Sequence, residues 1–148
     1  MKVEIDQSNK VEKTSRDTII GIAGDGKMFS VVIESRVKKK LQEEFRRRGK
    51  PRLFVYRTFI AGAALALKYS GVRPAEIIID IEYVGQDRLL RSIFLEMWSQ
   101  LSTRIPIVTF VNIGKKSAAH AVSYETMKKI RAADKVLRLG ELLKFTLK

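Results

Sequence analysis

Two aspartates stand out as residues able to do chemistry, because each interrupts an apolar run. Asp6 follows Val3 and Ile5 near the N-terminus, and Asp80 lies within Ile77-Ile78-Ile79-Asp80-Ile81. A buried carboxylate without a partner is costly, so two of them brought together call for a compensating cation. Carboxylates are hard oxygen ligands for Mg²⁺ or Mn²⁺, and the cation relieves their mutual repulsion. Two metals about 4 Å apart can activate a water and stabilise the leaving oxygen in phosphodiester cleavage. The alternative is that Asp6 and Asp80 only end strands, cap loops or pair with surface Lys or Arg. Glu82 adds a carboxylate two residues beyond Asp80.

His120 is the only histidine, and it shares a helical face with Ser117 and Tyr124. Two readings stand: a proton shuttle or phosphate contact, or a partly buried structural residue. Gly114-Lys115-Lys116-Ser117 follows an apolar strand and precedes a helix. A nucleotide-binding loop would need Gly at the position of Thr109 and Gly-Lys directly before the Ser, and both are missing. What survives is a helix start at which Lys115 and Lys116 hold a backbone phosphate, or an ordinary solvated turn. From Arg36 to Arg52 there are nine cations against two acids, Glu43 and Glu44, so +7 of the chain's +13 sits there. Lys38, Lys39, Arg46, Arg47 and Arg48 are the expected nucleic-acid contacts of this segment, because such a face neutralises several phosphates. An anionic membrane surface or a structured RNA uses the same chemistry. Phe54, Tyr56, Phe59, Tyr83 and Trp98 either stack on bases or fill the core.

The elements that must position these residues follow from hydrophobic period. Val3–Gln7 alternates as a strand, and Thr18–Ala23 and Met28–Glu34 are β-branched runs joined by Gly24-Asp25-Gly26, a hairpin signal. Val37, Leu41 and Phe45 recur at helical spacing within Arg36–Arg48, leaving the cations, Lys38 among them, outside. A second helix runs from Pro51 to Tyr69 and stops at Gly71, although Arg52–Arg57 fits a short strand equally. Glu76–Tyr83 reads as a central strand, Gly85–Leu101 as an amphipathic helix, Ile105–Val111 as a strand and Ser117–Arg131 as a helix. A short strand through Val136–Leu139 and a helical turn close the chain. Strands alternating with helices after an opening meander imply an α/β sandwich on a mixed sheet. At 148 residues this is one domain.

Composition excludes several classes. With 45% hydrophobic residues the chain can bury a core. The absence of Cys removes disulfides, thiolate zinc sites, iron–sulfur clusters and a cysteine nucleophile. The longest apolar stretch, near Phe59–Leu67, is too short for a membrane span of about 20 residues. A soluble, cytoplasmic protein is expected, and low amide content with many charges fits a thermophilic source. The net charge of +13 points to a polyanionic partner, DNA, RNA or a hybrid. A homodimer is compatible with these features.

The βββαβαβα order, with Asp6 on the first strand and Asp80 and Glu82 on the fourth, resembles the ribonuclease H-like superfamily. That group includes ribonucleases H, Holliday-junction resolvases and retroviral-type integrases. The resemblance implies a three-layer sandwich on a mixed five-stranded sheet with helices on both faces, and nuclease chemistry dependent on Mg²⁺ or Mn²⁺. It implies Asp6 as the first acid and metal ligand. The second is Asp80 or Glu82 at the fourth strand, or Glu34, Glu43 or Glu44 around the helix after the third. In the resolvase branch the last acid follows a histidine by three positions, where this chain has His120-Ala121-Val122-Ser123. Glu125 and Asp134 are the nearest substitutes. The resemblance therefore implies either a variant site of Asp6, Asp80, Glu82, Glu125 and His120, or a fold kept for nucleic-acid binding or scaffolding without catalysis. A third reading is an α/β protein of another class, acting on a small molecule or binding a partner, whose basic surface is incidental.

Overall fold

A computed structural model describes residues 1–147. The opening meander forms as its pattern predicts: β1 (Lys2–Ser8), β2 (Thr18–Gly24) and β3 (Lys27–Ile33). β1 pairs antiparallel with β2, and β2 with β3. Asp25 and Gly26 both adopt positive φ, 52° and 76°, as a two-residue turn matched to strand twist requires. α1 (Ser35–Arg47) and α2 (Leu53–Ser70) follow, so Arg57 belongs to a helix. β4 (Glu76–Asp80), α3 (Asp87–Trp98), β5 (Ile107–Val111) and α4 (Ala118–Met127) come next. The chain ends with β6 (Lys135–Val136) and α5 (Leu139–Thr146). Leu139, expected to end a strand, starts this last helix.

The sheet has six strands in the order β5-β4-β1-β2-β3-β6. The expected five become six because β6, only two residues long, pairs parallel with β3 through Val31–Lys135 and Val32–Val136. β4 runs parallel to both β1 and β5. Only β2 is reversed, so the other five strands end on one rim of the sheet.

Pleating decides which layer each side chain joins. Val3, Ile5, Ile20, Ile22, Val31, Ile33, Ile77 and Ile79 point into one large core with α1, α2, α3 and α5. α2 is buried almost all round, and its small residues Ala61, Gly62, Ala63 and Ala64 allow close approach to the sheet. A Cβ at Gly62 would lie 2.3 Å from Ile20 Cδ1. The opposite face carries α4, which packs Ala119 and Val122 against Ala23. Among the described residues, no helix is long and apolar enough to cross a membrane.

Candidate metal centre at the strand ends

Asp6 lies one residue after Ile5 on β1, so the pleat turns it away from the main core and toward α4. It is 4% exposed. Its Oδ2 accepts a hydrogen bond from Ser123 Oγ at 2.9 Å and lies 3.0 Å from His120 Nδ1. Against an ionised carboxylate, that ring nitrogen is the donor. Ser8 Oγ donates in turn to Ser123 Oγ at 3.1 Å. Ser117 caps α4 by accepting His120 N–H at 3.0 Å, which fixes the first turn that carries the imidazole. His120 also stacks on Tyr124, with ring centroids 5.9 Å apart.

Parallel pairing sets β4 beside β1, with Ile5 opposite Ile79, so Asp80 at the end of β4 reaches the same corner. Asp80 Oδ1 accepts Ile113 N–H at 2.8 Å. Glu82 lies just past the strand, where Lys10 Nζ donates to its carbonyl at 3.1 Å and stands 3.9 Å from its Oε2. Asp6, Asp80 and Glu82 each present a carboxylate oxygen within 4.8 Å of the others.

Three acids this close cannot all ionise cheaply. Burial pushes the Asp6 carboxyl above its ordinary value; Ser123 and His120 oppose that rise and the Asp80 charge adds to it. Glu82 is pushed up to about 8, chiefly by burial, then by its hydrogen bond with Asp80 and by the charges of Asp6 and Asp80. The donor set suits a hard divalent cation, which would relieve this crowding. One oxygen of each aspartate is held by protein donors, which fixes how the carboxylates are turned. The other accepts no hydrogen bond from a protein N–H or hydroxyl among the described residues.

The remaining expected site residues divide. Lys115 and Lys116 lie in the loop between Ile113, which holds Asp80, and Ser117, which caps α4; both are exposed beside the cluster. Glu125 is not part of the cluster: it stands two residues past Ser123, about 200° around α4. Asp134 is engaged elsewhere, its Oδ2 accepting Ser30 N–H at 2.9 Å. Glu34 pairs with Arg36, and Glu44 with Arg47 and Arg48.

Lys38 is the clearest correction. It is fully buried, and its ammonium donates to the Lys13 carbonyl and to Thr18 Oγ1, both at 2.8 Å. The inner stripe of α1 includes it, so it is no surface contact. Lys39, Arg46, Arg47 and Arg48 are exposed. Yet α1 packs in the layer opposite α4, so the basic helix and the acids occupy opposite faces of the sheet. Phe54, Phe59, Tyr83 and Trp98 are buried and Tyr56 packs edge-on against Tyr83, so these rings serve the core. Ser123 is the site residue that the sequence pattern did not assign. Its signal was its place three residues after His120, one turn along the same face.

No family model matches the chain, and neither a curated protein nor a solved structure matches it.

Proposed function

We propose that the protein is a ribonuclease H-like, metal-dependent nuclease acting on structured or duplex nucleic acid. The observation that carries this reading is the convergence of Asp6, Asp80 and Glu82 within 4.8 Å at the ends of two parallel strands. Element order and the positions of the acids accord with the superfamily resemblance. The lysines of the neighbouring loop supply the positive charge that a phosphodiester needs next to three carboxylates.

Mg²⁺ or Mn²⁺ held by Asp6, Asp80 and Glu82 would supply Lewis-acid polarisation of the phosphodiester. The chain's own residues do the rest. Ser123 and His120 hold Asp6 in one orientation, Ile113 N–H holds Asp80, and Lys115 and Lys116 grip the phosphate backbone. With Nδ1 committed to Asp6, His120 has Nε2 as its exchanging nitrogen, and the ring is 30% exposed.

Cleavage of branched, RNA–DNA and single-stranded substrates with Mn²⁺ tests this reading. Asp6→Asn should lose more than the roughly 10–100-fold that removal of an outer partner costs. Unchanged cutting by the mutant would overturn the assignment. A second reading, a non-catalytic nucleic-acid-binding protein, is favoured by one observation: Ser123 gives Asp6 a hydroxyl where a further carboxylate is expected. Tight binding by the wild type without cleavage of any substrate would select it.

A further inference from the structure

We propose, resting on the nucleic-acid reading above, that the cleft between the start of α1 and the β6–α5 segment is a second phosphate-binding site for the same nucleic acid. It lies on the sheet rim that carries the carboxylates. The cleft encloses about 510 Å³, and Arg36, Lys40, Lys135 and Arg138 line it together with two acids, Glu34 and Asp134. Both acids are already committed. Glu34 Oε1 lies 3.3 Å from Arg36, and Asp134 Oδ2 accepts Ser30 N–H. Lys40 and Arg138 are exposed, and neither has an acidic partner among the described residues. The Lys135 ammonium rests on the Tyr69 ring, 4.4 Å from its centroid, which holds a third cation in place.

Topology supplies the spacing. β1 and β4 bring Asp6 and Asp80 to the common rim, and β3 and β6 end on the same rim. Arg36 follows Ile33 by three residues, and Arg138 follows Val136 by two. In the strand order, β6 stands three places from β1 and four from β4. At about 4.8 Å per place, the cleft is about 14–19 Å from the acids. Consecutive phosphates along one strand of a duplex advance about 3.4 Å, so that span is about four to six nucleotides. A nucleic acid laid along the rim thus meets the carboxylates with one phosphate and the cleft with another. That periodic match favours a nucleic acid over an anionic lipid surface.

Binding is read in metal-free buffer on an Asp6→Asn background, so that cutting cannot interfere. Lys40→Glu with Arg138→Glu should weaken binding of a duplex of about 20 base pairs by about tenfold or more and flatten its salt dependence. Lys27→Glu with Arg73→Glu makes the same charge change on the opposite rim and should cost less than about threefold. Replacing single phosphates by neutral methylphosphonates should reveal two sensitive zones about four to six nucleotides apart, the outer one lost in the cleft variant. Equal losses from the two charge-reversal pairs, or one sensitive zone only, would overturn the cleft while leaving nucleic-acid binding intact. Absence of duplex binding by the parent protein would overturn the broader reading as well. Loss of binding to phosphatidylserine vesicles with duplex affinity unchanged would assign the cleft to membranes instead.

Discussion

Lys38 shows what a single buried charge does to this protein. Its ammonium has two oxygen acceptors, the Lys13 carbonyl and Thr18 Oγ1, but neither is ionised. Burial lowers its pKa from 10.5 to about 8, partly offset by the charges of Asp17 and Glu12. A lysine whose pKa is depressed by folding contributes stability that is complete above the unfolded value and is lost as pH falls through the folded one. The wild type should therefore gain stability relative to Lys38→Met as pH rises from about 8 to 10.5, by at most about 3 kcal/mol. Urea denaturation of both proteins at several pH values checks this, and a difference that stays flat with pH would rule it out. The buried position was partly legible in the sequence, since Lys38 stands three residues before Leu41 and seven before Phe45. Residue type masked the spacing: lysine is almost never fully buried unless paired, so periodicity assigned it to the outer face. Asp6 and Asp80 were legible for the opposite reason, as carboxylates in apolar runs that no solvated face explained.

Among the elements, the close seat of α4 on β2 makes the site possible. Gly21 lies where α4 crosses the sheet, and a Cβ there would come within 2.7 Å of Ser123 N and 3.0 Å of the Ala119 carbonyl. Neither atom is a flexible side-chain end, so the helix itself must move. Gly21→Ala should cost about 1–3 kcal/mol of stability. It should also weaken divalent-cation binding, because Ser123 and His120 would be pushed off Asp6. Thermal melts with titrations of Mn²⁺ read both effects, and a variant with wild-type stability and affinity would show that α4 has slack. The sequence showed which strands and helices exist wherever period and punctuation agreed, as in the Asp25-Gly26 hairpin or α2 ending at Gly71. It did not show β6, because two residues carry no period; that strand exists only through its pairing with β3. Nor could spacing show that α1 and α4 occupy opposite layers, since that depends on which pleat of each strand faces which helix.

At the scale of the whole molecule, the +13 charge is divided by the sheet. Arg46, Arg47 and Arg48 lie on α1 in one layer, and two of them are partly neutralised by Glu44. The acids lie toward the other layer, and Lys115 and Lys116 follow β5 onto the rim beside them. A phosphate at the carboxylates therefore meets the loop lysines, while α1's last turn adds diffuse attraction. Replacing both Lys115 and Lys116 with Ala should reduce the slope of log affinity against log salt by about 2, one released counterion per contact. The loss should be even across nucleic-acid sequences, because phosphate contacts carry no base information. In the same metal-free buffer Asp6→Asn should bind at least as tightly as the wild type, since it removes a negative charge from the phosphate path. Fluorescence anisotropy across a salt series distinguishes the outcomes. An unchanged slope in the lysine variant would leave Gly114–Ser117 a solvated turn, and weakened binding by Asp6→Asn would mean that the carboxylate shapes the binding surface rather than opposing the phosphate.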